Sequence, residues 1–168
     1  MDLEHRRLRA LRLEAVAEQA EVEHSTAELE ASGRTMADVF FELGNAGAEI
    51  VCETLAGPVR GRVVHVGSEL VRVLGADSTS VDVALCHVHG VRTVAVGRAN
   101  SVSSGHPSTV VARCRELANS GVRVELGSAV AVPMRGVITV AGDHHVAGEG
   151  ATGAWFVPID SVCLIREI

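Results

Sequence analysis

His87 and His89 stand two residues apart, a spacing that would put both imidazoles on one face of an extended strand. His65 can approach them from a neighbouring strand, and three imidazoles make a zinc-type ligand set. A turn expected at residues 86–88 breaks that face, and no acid or cysteine completes a metal spacing. Solvated or hydrogen-bonded histidines are the better reading. His144 and His145 are adjacent, so on a strand they point to opposite faces, which suits a polar hairpin. Cys86 beside His87 supplies a nucleophile and a base in sequence. Chain neighbours rarely have the geometry that proton transfer needs, and no oxyanion loop accompanies them. The run GEGATGA at 148–154 lacks the lysine and the following helix of a phosphate loop. No catalytic set, cofactor site or metal site is therefore expected, nor a small-molecule substrate, and the chain reads as a non-enzyme.

A basic patch is the remaining candidate. Arg60 and Arg62 share a strand face by alternation, Arg72 follows on the next strand, and His87 completes the set. The patch reads as a solvated outer face that keeps the domain soluble. The sharper reading is a docking site for an acidic partner helix, including the Glu14–Glu30 segment of this chain or of another copy.

Composition narrows the partner. The 168 residues carry a net charge of −6, which argues against a strong polyanion binder. All 15 cations are arginine, tyrosine is absent, and the aromatics are Phe40, Phe41, Trp155 and Phe156. Sites that stack bases are nearly excluded between residues 42 and 154. The hydrophobic fraction of 47% is enough for a packed core. No stretch reaches the roughly 18 apolar residues of a spanning helix, so no membrane partner is expected. Cys52, Cys86, Cys114 and Cys163 are isolated among apolar residues, as buried free thiols are. A cytoplasmic location follows as an expectation.

Residues 3–31 read as one long charged helix. Its apolar stripe is thin: Leu8, Leu11, Ala15 or Val16, Val22 and Leu29. Arg6, Arg7, Arg9 and Arg12 crowd its start, and glutamates from Glu14 to Glu30 follow without a cation. It reads as a solvated helix loosely attached to the body, or as half of an antiparallel pair between copies.

From Thr35 the texture becomes valine-rich and punctuated by glycine, and the chain matches itself. Residues 36–94 align with 109–165 at an offset of about 74. Glu42-Leu43 meets Glu116-Leu117, Asn45 meets Asn119, and Gly47 meets Gly121. Arg60-Gly61 meets Arg135-Gly136 at an offset of 75, and Val83–Val88 meets Val157–Val162. Each half opens with a short helix. Thr35 and Asp38 form a capping box for the first, while Ser108 is the candidate N-cap and Gly121 the stop of the second. Five short strands follow in each half: near 48–55, 59–67, 69–75, 80–85 and 91–96, then near 122–126, 130–141, 144–148, 154–159 and 162–167. Short strands separated by glycine predict small closed or nearly closed barrels.

The order of one helix and five bent strands resembles the Sm-like fold over residues 36–96 and again over 108–167. Gly61 and Gly136 sit where that family bends its second strand sharply. Leu85–Val88 and Ile159–Val162 resemble its tight turn between the fourth and fifth strands. Its RNA-reading residues are not kept. The aspartate and asparagine positions are Gly67 and Val71, then Gly142 and Val146, and the arginine-glycine pair is Cys86-His87, then Asp160-Ser161. What the resemblance implies is edge-to-edge strand pairing between barrels.

The expected architecture is mainly β with α. It has an N-terminal helix (1–34) and two tandem Sm-like barrels (35–97 and 98–168), each preceded by a short helix. The expected function is assembly or protein interaction with homo-oligomerisation. The rival is a divergent Sm-like RNA binder acting through surface arginines, a partner that the charge balance disfavours.

Overall fold

The computed structural model describes residues 33–98, 101–103 and 106–168. Helix α1 (Met36–Asn45) precedes β1 (Ala48–Thr54), β2 (Gly57–Val66), β3 (Leu70–Leu74) and β4 (Ser80–Ala84). A 3₁₀ turn, Leu85–His87, leads into β5 (Val88–Val96). The second half repeats the order with α2 (Val110–Ser120), β6 (Arg123–Ser128), β7 (Met134–Ala141), β8 (His145–Gly150) and β9 (Gly153–Pro158). The turn Ile159–Ser161 and β10 (Val162–Glu167) close it. No helix among the described residues is long and apolar enough to cross a membrane.

All ten strands join one antiparallel sheet in the order β5-β1-β2-β3-β4-β10-β6-β7-β8-β9. This corrects the expected fold of two tandem barrels behind a long helix. Neither half closes on itself. The fourth strand of the first half pairs with the fifth strand of the second, and Met36–Ile168 form one compact unit. The helix expected over residues 3–31 lies outside the described residues.

The cores explain the continuity. One cluster gathers Phe40, Ile50, Cys52, Val63, Val71, Val73 and Val83 of the first half, together with Leu164 from β10. The other gathers Cys114, Leu117, Leu126, Ile138, Val146 and Ile165 of the second half, together with Leu70 and Ala84 from the first. Each half thus completes the other's core. Full burial of a leucine side chain contributes about 1.5–3 kcal/mol.

Local chemistry places the elements. Thr109, not Ser108, caps α2: its hydroxyl oxygen accepts from the Ala112 N–H at 3.2 Å. Ser108 is held outside the helix because its carbonyl accepts the Glu69 N–H at 2.9 Å. Gly121 ends α2 at φ 66°, where its N–H reaches the Leu117 carbonyl. A Cβ on Gly61 would run into the Leu74 carbonyl oxygen, and one on Gly136 into that of Glu149. The third strand of each half can therefore lie tightly on the second. Strand β7 starts at Met134 rather than near 130, because Ala129 and Val130 give their N–H groups to the Ser161 carbonyl and the Ser128 hydroxyl.

Pairing registers agree between halves. Ile50 faces Gly61 as Val124 faces Gly136, and Val71 faces Val83 as Val146 faces Val157. The bulge between Val63 and His65 recurs between Ile138 and Val140.

Candidate interaction surface

The β4–β10 junction pairs Val83 with Leu164, Asp82 with Ile165, and Val81 with Arg166. Alternation turns Asp82 away from the first core, yet it is only 5% exposed. Its carboxylate is met by Arg72 on β3, which donates from Nε to Oδ1 at 2.7 Å and from Nη2 to Oδ2 at 2.8 Å. Arg113 on α2 donates from Nε to Oδ2 at 2.6 Å. The same guanidinium donates to Glu116 and Glu167. Burial pushes the Asp82 carboxyl up, but the hydrogen bonds and charges of Arg72 and Arg113 outweigh it and hold it below the ordinary carboxylate value. Burial pushes Arg113 down, and Asp82, Glu116 and Glu167 reverse this and raise it.

Arg72 also donates from Nη1 to the His106 Nδ1 at 2.9 Å. Burial, then the Arg72 charge, lower the His106 pKa, so its ring accepts as the neutral form. The His65 ring packs edge-on against His106 at 5.5 Å between centroids, and its Nδ1 donates to the Ser103 carbonyl at 2.6 Å.

The two ends of the sheet differ from this junction. Strand β10, with a neighbour on each side, is buried over Val162–Ile165, whereas its counterpart β5 is exposed over Arg92–Val96. Strand β4 is buried over Val81–Ala84, whereas its counterpart β9 buries only Val157. Val96 on β5 is 77% exposed and Phe156 on β9 is 72% exposed, with Val94 also in solvent. Aliphatic and aromatic side chains are thus exposed on both open edges of the sheet.

The residues singled out in the sequence do not gather. Arg60 is exposed and its Nε pairs with Glu49 at 2.8 Å; Arg62 is exposed beside it on β2. Arg72 is buried in the junction. His87 sits in the 3₁₀ turn and donates from Nε2 to the Asp160 carbonyl at 2.7 Å, tying the two turns together. His89 is exposed on β5 and His65 is buried on β2. Among the described residues no group of three His, Cys, Asp or Glu side chains is placed to hold a metal ion. Cys52, Cys114 and Cys163 are buried and Cys86 is exposed.

Sequence reading missed Asp82, Arg113 and Phe156. Alternation sets Asp82 on the face opposite Val81 and Val83, which would be the solvent side on an edge strand. The overlooked signal is the match between halves: Asp82 aligns with Phe156, and Arg72 with Ala147, as their pairings also do. A charge in one half stands where the other half has an apolar side chain. No family model matches the chain, and no curated protein matches it.

Proposed function

We propose that this chain is a non-enzymatic assembly protein that associates with further copies of itself through the open edges of its sheet. The carrying observation is the β4–β10 junction. It joins the fourth strand of one half to the fifth strand of the other, and the open edges β9 and β5 are the fourth strand of the second half and the fifth of the first. Pairing β9 of one copy with β5 of the next repeats the internal junction and covers Phe156. Such a contact is head-to-tail, so it generates rings where the rotation closes and filaments where it does not. The rival reading, RNA binding through surface arginines, draws less support. Arg72 is committed to Asp82, and Arg60 to Glu49.

Sedimentation velocity and light scattering on the full chain at tens of micromolar test the proposal. A mass of several chains is expected, with an absorbance ratio at 260 and 280 nm typical of clean protein. A single-chain mass at that concentration would overturn it. Salt-sensitive binding of oligonucleotides would favour the RNA reading instead.

A further inference from the structure

We infer that the junction between copies is locked in one register by Phe156 of one copy seated against Val39 and Val91 of the next, the apolar counterpart of the Asp82–Arg113 lock inside the chain. This rests on the self-association proposed above.

The register follows from the internal pairing. In the first half Asp82 faces Ile165 across the junction. Phe156 occupies the Asp82 position, since Ala147 faces Phe156 as Arg72 faces Asp82. Val91 occupies the Ile165 position, since Cys52 faces Val91 as Leu126 faces Ile165. Repeating the junction therefore sets Phe156 opposite Val91 of the next copy, with Val157 opposite Gly90 and Trp155 opposite Arg92. Pro158 lacks an N–H, but its counterpart Ala84 lies just beyond the β4–β10 pairs, so this register asks no hydrogen bond of it.

The helix supplies the third member. Arg113 reaches over the junction from α2 to Asp82 of the other half. Its counterpart in α1 is Val39, by the offset that matches Glu42-Leu43 with Glu116-Leu117. Val39 is half-buried. The three polar members Arg72, Asp82 and Arg113 are thus answered by Ala147, Phe156 and Val39.

Matched substitution of this kind sorts the edges. Were β5 of another copy to displace β10 from β4, Val39 would stand where Arg113 stands, and Asp82 would lose one of its two arginines. Were β10 of another copy to add to β9, the Arg113 guanidinium would be set against the Phe156 ring with no Asp82 beneath it. Both arrangements take one partner from a charge that is buried in the native junction. Of the pairings that use an open edge, only β9 with β5 leaves every member matched.

The test uses full-length chains in sedimentation velocity across a concentration series. Phe156→Asp and Val39→Arg are each expected to raise the concentration of half-dissociation at least tenfold. An equimolar mixture of the two is expected to reassociate, because one contact in the mixture keeps Phe156 against Val39 and the other sets Asp against Arg. Retention of mass by Phe156→Asp would overturn the inference while leaving self-association standing. Two dissociated variants that fail to reassociate would overturn it as well, and a single-chain mass for the unaltered protein would remove both proposals. Should Val39→Arg lose its folded circular dichroism, a benzoyl-phenylalanine photo-crosslinker at position 156 supplies the second measurement. Adducts between chains at residues 36–43 or 88–96 are expected, and adducts elsewhere would overturn the register.

Discussion

Arg113 on α2 and Asp82 on β4 belong to opposite halves of the sequence, and they meet through a 2.6 Å hydrogen bond between Nε and Oδ2. Arg72 grips the other side of the same carboxylate with two bonds. A carboxylate between two guanidinium groups beneath a strand junction ties the halves by charge, beside the apolar exchange of Leu164, Leu70 and Ala84.

Removing that carboxylate leaves Arg72 and Arg113 buried without their common partner. Breaking a buried pair in this way costs about 3–5 kcal/mol. Asp82→Ala is expected to lower unfolding free energy by that amount in urea titrations. A loss below about 1 kcal/mol would mean that Glu116 and Glu167 alone neutralise Arg113.

The same carboxylate makes stability depend on acid. Asp82 is held below the ordinary carboxylate value in the folded chain, chiefly by Arg72 and Arg113 acting against burial. The unfolded chain, with a carboxylate pKa of about 3.9, therefore takes up the proton first as pH falls. The Asp82 contribution is complete above that unfolded value and disappears as pH drops through the folded one. The stability gap between the unaltered protein and Asp82→Asn is expected to narrow from pH 6 toward pH 2. A constant gap would contradict this.

Gly136 and Gly90 make a paired test of packing. A Cβ at Gly136 strikes the Glu149 carbonyl, whereas one at Gly90 meets nothing within 4 Å. Gly136→Ala is expected to cost about 1–3 kcal/mol, as overpacking does. Gly90→Ala is expected to stay within about 1 kcal/mol of neutral. Equal effects in thermal unfolding would show that the close approach of β7 and β8 is not a constraint.

Thiol chemistry reads the cooperativity. Burial pushes the Cys52 thiol up to about 11 and the Cys114 thiol up to about 12, and it raises Cys163 as well. Cys86 is the exposed one, so a thiol reagent is expected to modify it first and Cys86→Ser to abolish that phase. Cys52 lies in the first core and Cys114 in the second. Because the cores exchange residues, both are expected to become reactive together, at the same urea concentration as the Trp155 fluorescence change. Separate midpoints would show that the halves unfold independently.

Much of the local plan was readable before any coordinates. The ten strands fall close to their expected places, because Val81-Asp82-Val83 and Val59-Arg60-Gly61 alternate and glycines punctuate the ends. The turns after β4 and β9 were legible from the matching segments at Leu85 and Ile159. The surface patch was less legible. Arg60 and Arg62 share a face as alternation requires, but Arg72 turns out to be buried. Alternation says which residues share a face, and whether that face meets water depends on the neighbouring strand.

The sequence by itself determined the elements, their order and the agreement between halves, since these follow from near-neighbour periodicity, capping and glycine geometry. Only the tertiary structure decided that β4 pairs with β10. That pairing joins segments distant in the chain, and no local pattern distinguishes an edge strand whose partner lies in the other half from one facing solvent. It makes Asp82 an interior carboxylate and leaves Phe156, at the matching position, on an open edge.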